Sequence, residues 1–184
     1  MERVLGFLRR VLGVSGDERL EEPRARPFVT VTADRLAGDP GAVWSDVASR
    51  LMEVNCLEHL RLARTQGVAW LVLTYDAIVR GEGHKQYFRI YGVGRAAEVR
   101  VALAELGADT QCRLLAEAIG RDVSYPDDYE TLASGLFPSA RRGQPPDYTD
   151  LDIPYRLQAS AVRSRLEQYM RAHFEDFVGI EGEA

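Results

Sequence analysis

The sequence predicts an all-α protein: a single-domain helical bundle with a short N-terminal arm and a long acidic connector before the last helix. Three observations predict it. Apolar residues recur at spacings of three and four through most of residues 40–120 and 154–178. Glycines and an Asp-Pro pair punctuate those stripes where helices should start and stop. Only one run, Phe28–Thr32, is alternating and β-branched, and a lone strand cannot make a sheet, so it reads as an extended segment.

The composition agrees with this class. The 184-residue chain is 46% apolar and 28% charged, enough to support a core and too apolar for wholesale disorder. No apolar run reaches the ~18 residues of a membrane-spanning helix, so integral membrane association is not expected. The formal charge is −5, which argues against gripping nucleic acid by its phosphates. Cys56 and Cys112 are too few for a disulfide scaffold. They read as free thiols in a reducing cytoplasm, and no secretory leader is visible in Met1–Gly16. The expected location is therefore cytoplasmic.

The elements follow in order. Residues 1–27 form an N-terminal arm and linker: a short amphipathic helix over 3–12, then a polar stretch with Pro23 and Pro27. Residues 28–180 form the helical domain. Asp39 can cap a helix whose first residue is Pro40. That helix carries Trp44, Val47, Leu51 and Val54 and runs to about Arg64, bent near Asn55. Gly67 separates it from a helix over Val68–Arg80. Gly81-Glu82-Gly83 breaks the chain, and His84–Tyr91 is an aromatic run ended by Gly92 and Gly94. Ala96, Val99, Leu103 and Leu106 make the next stripe, with Gly107 where a left-handed C-terminal cap belongs. Asp109 can cap the helix of Cys112, Leu115, Ala116 and Ile119. Residues 121–153 are irregular and acidic. Asp152 and Pro154 then open a final helix to about Val178, with Val162, Leu166, Tyr169, Met170 and Phe177 inward.

Several groups carry possible chemistry. Gly92-Val93-Gly94-Arg95-Ala96-Ala97 has the outline of a dinucleotide loop, but no second parallel strand follows, and it reads as a glycine turn between helices. Cys56 and His59, with Cys112 or His84, could supply zinc ligands. Only half a motif exists, so a buried thiol beside an ordinary histidine is the simpler reading, with no metal. His84 beside Glu82 could act as a general base, yet nothing marks a nucleophile, and a turn histidine is expected. His173, near a helix end, can meet free carbonyls. No catalytic residue and no cofactor are assigned.

Charge is uneven along the chain. Residues 1–120 hold 16 acidic and 16 basic side chains, whereas 121–184 hold 12 and 7. Asp122, Asp127, Asp128, Glu130, Asp147, Asp150 and Asp152 fall within 31 residues, opposed by Arg141 and Arg142 and interleaved with Tyr125, Tyr129 and Tyr148. The simplest reading is a solvated acidic loop. The functional one is a face that imitates a phosphate backbone and draws in a basic surface.

The order of these pieces resembles a known family. Tyr75-Asp76, the glycines flanking Glu82 and Gln86-Tyr87-Phe88 resemble its acidic residue, glycine pair and Gln-Tyr-Phe. Ala102–Ala108 resembles its Ala-Leu-x-x-Ile-Gly-Ala helix end. Leu151-Asp152 through Tyr155, then Tyr169 to Phe177, resembles its closing helix. The family is the DNA mimic protein 19-like group of bacterial helical domains, and the resemblance covers residues 33–178. It implies a helical fold, a homodimer and no established catalysis. The founding member presents an acidic surface that imitates DNA and binds a transcriptional regulator.

The leading expectation is thus a non-enzymatic interaction module. Its acidic face would bind a protein partner such as a DNA-binding regulator, without direct nucleic-acid binding. An immunity or antidote protein that neutralises a toxin is the alternative, and an enzyme using His84 and Glu82 the third.

Overall fold

The computed structural model describes residues 26–55, 57–123 and 146–182. The expected arm helix over 3–12 lies outside them. The described elements run β1 (Val29–Val31), α1 (Ala33–Gly38), α2 (Pro40–Glu53), a 3-10 turn (Glu58–Arg61), α3 (Arg64–Glu82), α4 (His84–Glu105) and α5 (Asp109–Val123). After the connector come α6 (Thr149–Leu157), α7 (Ala159–Ala172), α8 (Phe174–Phe177) and β2 (Val178–Ile180). The architecture is all-α, with one small two-stranded sheet among the described residues.

Local signals place the early helices. The Thr32 hydroxyl accepts from the Arg35 amide at 3.2 Å and starts α1. Asp39 accepts from the Ala42 amide at 3.0 Å and Pro40 occupies the first position of α2, as the sequence predicts. Val43, Trp44, Val47 and Leu51 form its buried stripe. Burying one such side chain stabilises by about 1.5–3 kcal/mol, against about 1 kcal/mol for a cap. Packing therefore holds α2 in place, and the cap sets where it begins.

α3 is the central helix, packed against α2, α4, α6 and α7. It buries Val68, Trp70, Val72, Tyr75 and Val79, and also Gln66, Thr74 and Asp76. It starts at Arg64, so Gly67 lies within its first turn instead of separating two helices. The helix expected to run from Pro40 to Arg64 ends at Glu53. There the Trp70 indole N–H donates to the Val54 carbonyl at 3.0 Å, fixing the chain as it leaves α2.

α4 bends at Gly92, whose φ of 69° leaves a kink between two helical halves. The dinucleotide-like glycines thus sit at a bend within one helix. At its end, Gly107 adopts φ 67°. Its amide donates to the Ala104 carbonyl, and the Ala108 amide to the Leu103 carbonyl. This is the left-handed cap expected at Gly107.

Two further expectations fail. The run near Val29 is not solitary: Val29, Thr30 and Val31 pair in parallel with Val178, Gly179 and Ile180. The crossover between the strands is the whole bundle, a pairing that local sequence cannot announce. Gln66 helps hold it. Its amide nitrogen donates to the carbonyls of Arg26 (2.8 Å) and Asp176 (2.7 Å), tying both approaching chains to α3. The final helix is also not continuous. It breaks after Leu157 and after Ala172, and Pro154 lies inside α6 where a helix start was expected.

Candidate functional site

The site builds outward from Gly83. This residue ends α3 and precedes α4 with φ 88°, a region that side chains rarely tolerate. A Cβ here would collide with the Asp152 carboxylate. The close approach lets Asp152, carried on α6, sit at the first turn of α4. One carboxylate oxygen accepts from the His84 amide at 3.0 Å and from the His84 ring Nδ1–H at 2.5 Å. The other ring nitrogen, Nε2, accepts from the Tyr75 hydroxyl of α3 at 2.8 Å. The three side chains form a relay, Tyr75 to His84 to Asp152, that joins α3, α4 and α6.

His84 is not a turn histidine: both it and Tyr75 are 0% exposed. Burial pushes the His84 pKa down, against the pull of the Asp152 carboxylate, so the ring is neutral. Burial likewise raises the Tyr75 hydroxyl well above its ordinary value. The order of groups resembles a nucleophile, base and orienter, but the hydroxyl at its head is sealed from solvent. Glu82 is exposed at the end of α3 and takes no part.

Around the relay lies an aromatic box. Tyr87 and Tyr155 meet Tyr75 edge to face at 5.0 and 5.4 Å, and Tyr148 lies 6.2 Å from the His84 ring. A second buried carboxylate, Asp76, accepts from the Tyr155 hydroxyl at 3.1 Å and meets the Arg163 Nε at 3.4 Å. Burial raises its pKa, with Tyr155 and Arg163 opposing. Among the described residues no buried side-chain nitrogen or oxygen lacks a partner.

The acidic residues singled out by the sequence separate into three groups. Asp127, Asp128 and Glu130 lie outside the described residues, as do Arg141 and Arg142. Asp122, Asp147 and Asp150 gather where the connector leaves α5 and returns to α6. Arg121 joins the two ends. Its guanidinium makes two 2.6 Å bonds to Asp150, one of 2.6 Å to Glu117, and one of 3.0 Å to the Asp147 carbonyl. Tyr148 donates to Asp122 at 2.9 Å, and Asp147 receives the Thr149 amide and hydroxyl at the head of α6. The Arg121 hydrogen bonds hold the Asp150 carboxyl below its usual range, and the Thr149 hydrogen bonds do so for Asp147. Asp152 stands apart, its carboxylate turned inward onto His84.

The remaining candidates have structural partners. His59 stacks on Trp70 at 4.6 Å and bonds Arg95 at 2.6 Å. Cys112 contacts the Arg100 carbonyl at 3.6 Å, Cys56 lies outside the described residues, and His173 ends α7 beside Tyr169. Among the described residues no group of three histidine, cysteine or acidic side chains could hold a metal ion, and no helix is long and apolar enough to cross a membrane.

The scaffold is thus a helical bundle that carries exposed carboxylates at the root of one connector, over a sealed polar centre. The model of the DMP19-like protein family matches residues 41–173, and the chain belongs to that family. Nothing among the curated proteins or the solved structures matches it.

Proposed function

We propose that this protein is a non-enzymatic interaction module that docks a basic protein surface, such as that of a DNA-binding regulator. Asp122, Asp127, Asp128, Glu130, Asp147 and Asp150 form the docking face, and Asp152 holds the helix that presents Asp150. One observation carries this reading. In a member of the DMP19-like family, four carboxylates (Glu117, Asp122, Asp147 and Asp150) converge at the two ends of an acidic connector, which Arg121 bridges. Asp150 keeps 64% of its side chain exposed and Glu117 48%, so both remain open to a partner's cations. Such a face supplies steering and specificity more than raw affinity.

The test converts Asp127 and Asp128 to Asn and Glu130 to Gln in the full chain. A partner is then captured from the native host with each form and identified. We expect the wild type to retain one basic partner, a short DNA duplex to displace it, and the variant to lose it as salt rises to moderate strength. Equal capture by both forms at low and moderate salt refutes the reading.

A further inference from the structure

We propose that the buried Tyr75–His84–Asp152 relay is a proton-operated latch, which in mild acid releases α6 and with it the returning end of the connector. The inference goes beyond the docking role and does not depend on it, because it can be read on the isolated chain.

The latch follows from hydrogen-bond bookkeeping. Neutral His84 has one donor and one acceptor, and both are used: Nδ1–H toward Asp152 and Nε2 toward the Tyr75 hydroxyl. A second proton turns Nε2 into a donor aimed at the same tyrosine oxygen. The Tyr75 hydrogen must then point elsewhere. Around it stand the rings of Tyr87 and Tyr155, and among the described residues the Tyr75 hydroxyl makes no hydrogen bond other than that to His84. The protonated relay strands a buried donor, which the folded state resists.

The surrounding charges set the balance. From α3 come Tyr75 and, next to it, Asp76. α4 adds Tyr87. Tyr148, Asp152 and Tyr155 face the ring from α6 and the residue before it. Arg121 of α5 acts through space against a further positive charge, whereas Asp152 favours one. Burial is the largest influence and keeps the ring neutral.

α6 is the element that gives way. It has nine residues, of which only Leu151 and Tyr155 are buried. Its polar ties to the bundle are Asp152 to His84, Tyr155 to Asp76 and Asp150 to Arg121. Short helices with few apolar contacts open before the core does.

The sign follows from linkage. A histidine whose folded pKa lies below its free value of about 6.5 binds protons more readily once released. Its contribution is constant above about pH 6.5 and is lost as pH falls toward the folded value. The closing equilibrium drops by up to about tenfold per pH unit in that window.

The experiment is amide hydrogen exchange on the full chain between pH 7.5 and 5, corrected for intrinsic rates. We expect α6 amides, Thr149–Leu157, to lose protection by up to about tenfold per unit below about pH 6.5, while α2 amides hold theirs. His84→Gln should abolish this slope, and His173→Gln, at an exposed position, should keep it. If His84→Gln does not fold, an NMR titration of the wild-type His84 ring decides instead. A ring that stays neutral until α6 opens supports the latch. Protonation above pH 6.5 with α6 still protected overturns it, as do equal losses in α2 and α6 or an unchanged slope in a folded His84→Gln.

Discussion

Asp150 and Asp152 are the same residue type, two positions apart on one short helix, yet they do opposite work. Asp150 faces solvent, 64% exposed, and pairs with a guanidinium that the Glu117 carboxylate and the Asp147 backbone carbonyl also touch. Asp152 faces the bundle, 15% exposed, and accepts two N–H groups from a histidine that is wholly buried. Two residues are a rotation of about 200° on a helix, so the chain places one carboxylate outward and the other inward with no further device. Position on the helix, more than charge, decides whether an acidic residue can serve a partner or the fold.

The largest effect expected from breaking this pair is at Asp152. Asp152→Ala leaves the His84 amide and its Nδ1–H without an acceptor in a sealed site. Each unsatisfied buried donor costs about 1–3 kcal/mol, so we expect a loss of about 3 kcal/mol. The check is the midpoint of urea unfolding with an unchanged slope. A loss below about 1 kcal/mol, the net worth of one ordinary hydrogen bond, would mean that water or another side chain replaces the carboxylate.

The sequence revealed these two regions unequally, for physical reasons. Helix starts and stops are local events, so Asp39-Pro40 and Gly107 were legible from a few neighbours. Partners across the chain are not local. Tyr75, His84 and Asp152 converge through packing of three helices, and a histidine following a glycine turn reads as exposed until α6 is laid over it. The parallel pairing of Val29 with Val178 is hidden in the same way. A signal for the relay did exist. Tyr75-Asp76 and Leu151–Tyr155 are segments on which the family resemblance rests, and their polar residues meet in the polar centre. The outward acidic residues were legible as a charge imbalance, but composition could not tell that Asp152 turns inward. Asp127, Asp128 and Glu130 stand outside the described residues.

Tyr75→Phe sharpens the comparison at the relay's far end. The ring stays in its aromatic box and only the hydroxyl that donates to His84 Nε2 is lost. One buried acceptor is left without a partner, at a cost of about 1–2 kcal/mol. Because Tyr75 and Asp152 bind the same imidazole, their effects should not add. Thermal unfolding of both single variants and the double variant measures the coupling. Simple additivity would show that each partner contributes independently of the other, and that the three groups do not act as a unit.

The smallest effect on the fold is expected at Asp150. Asp150→Ala removes two bonds to Arg121, but Glu117 and the Asp147 carbonyl remain to hold that guanidinium. Exposed ion pairs contribute little because water already solvates both partners and the side chains lose freedom on pairing. The urea midpoint should therefore stay close to that of the wild type, while capture of a basic partner weakens, most clearly at low salt where unscreened carboxylates act furthest. A variant that unfolds as readily as Asp152→Ala, yet captures partner normally, would reverse the assignment of the two residues: Asp150 would then be the clamp of α6.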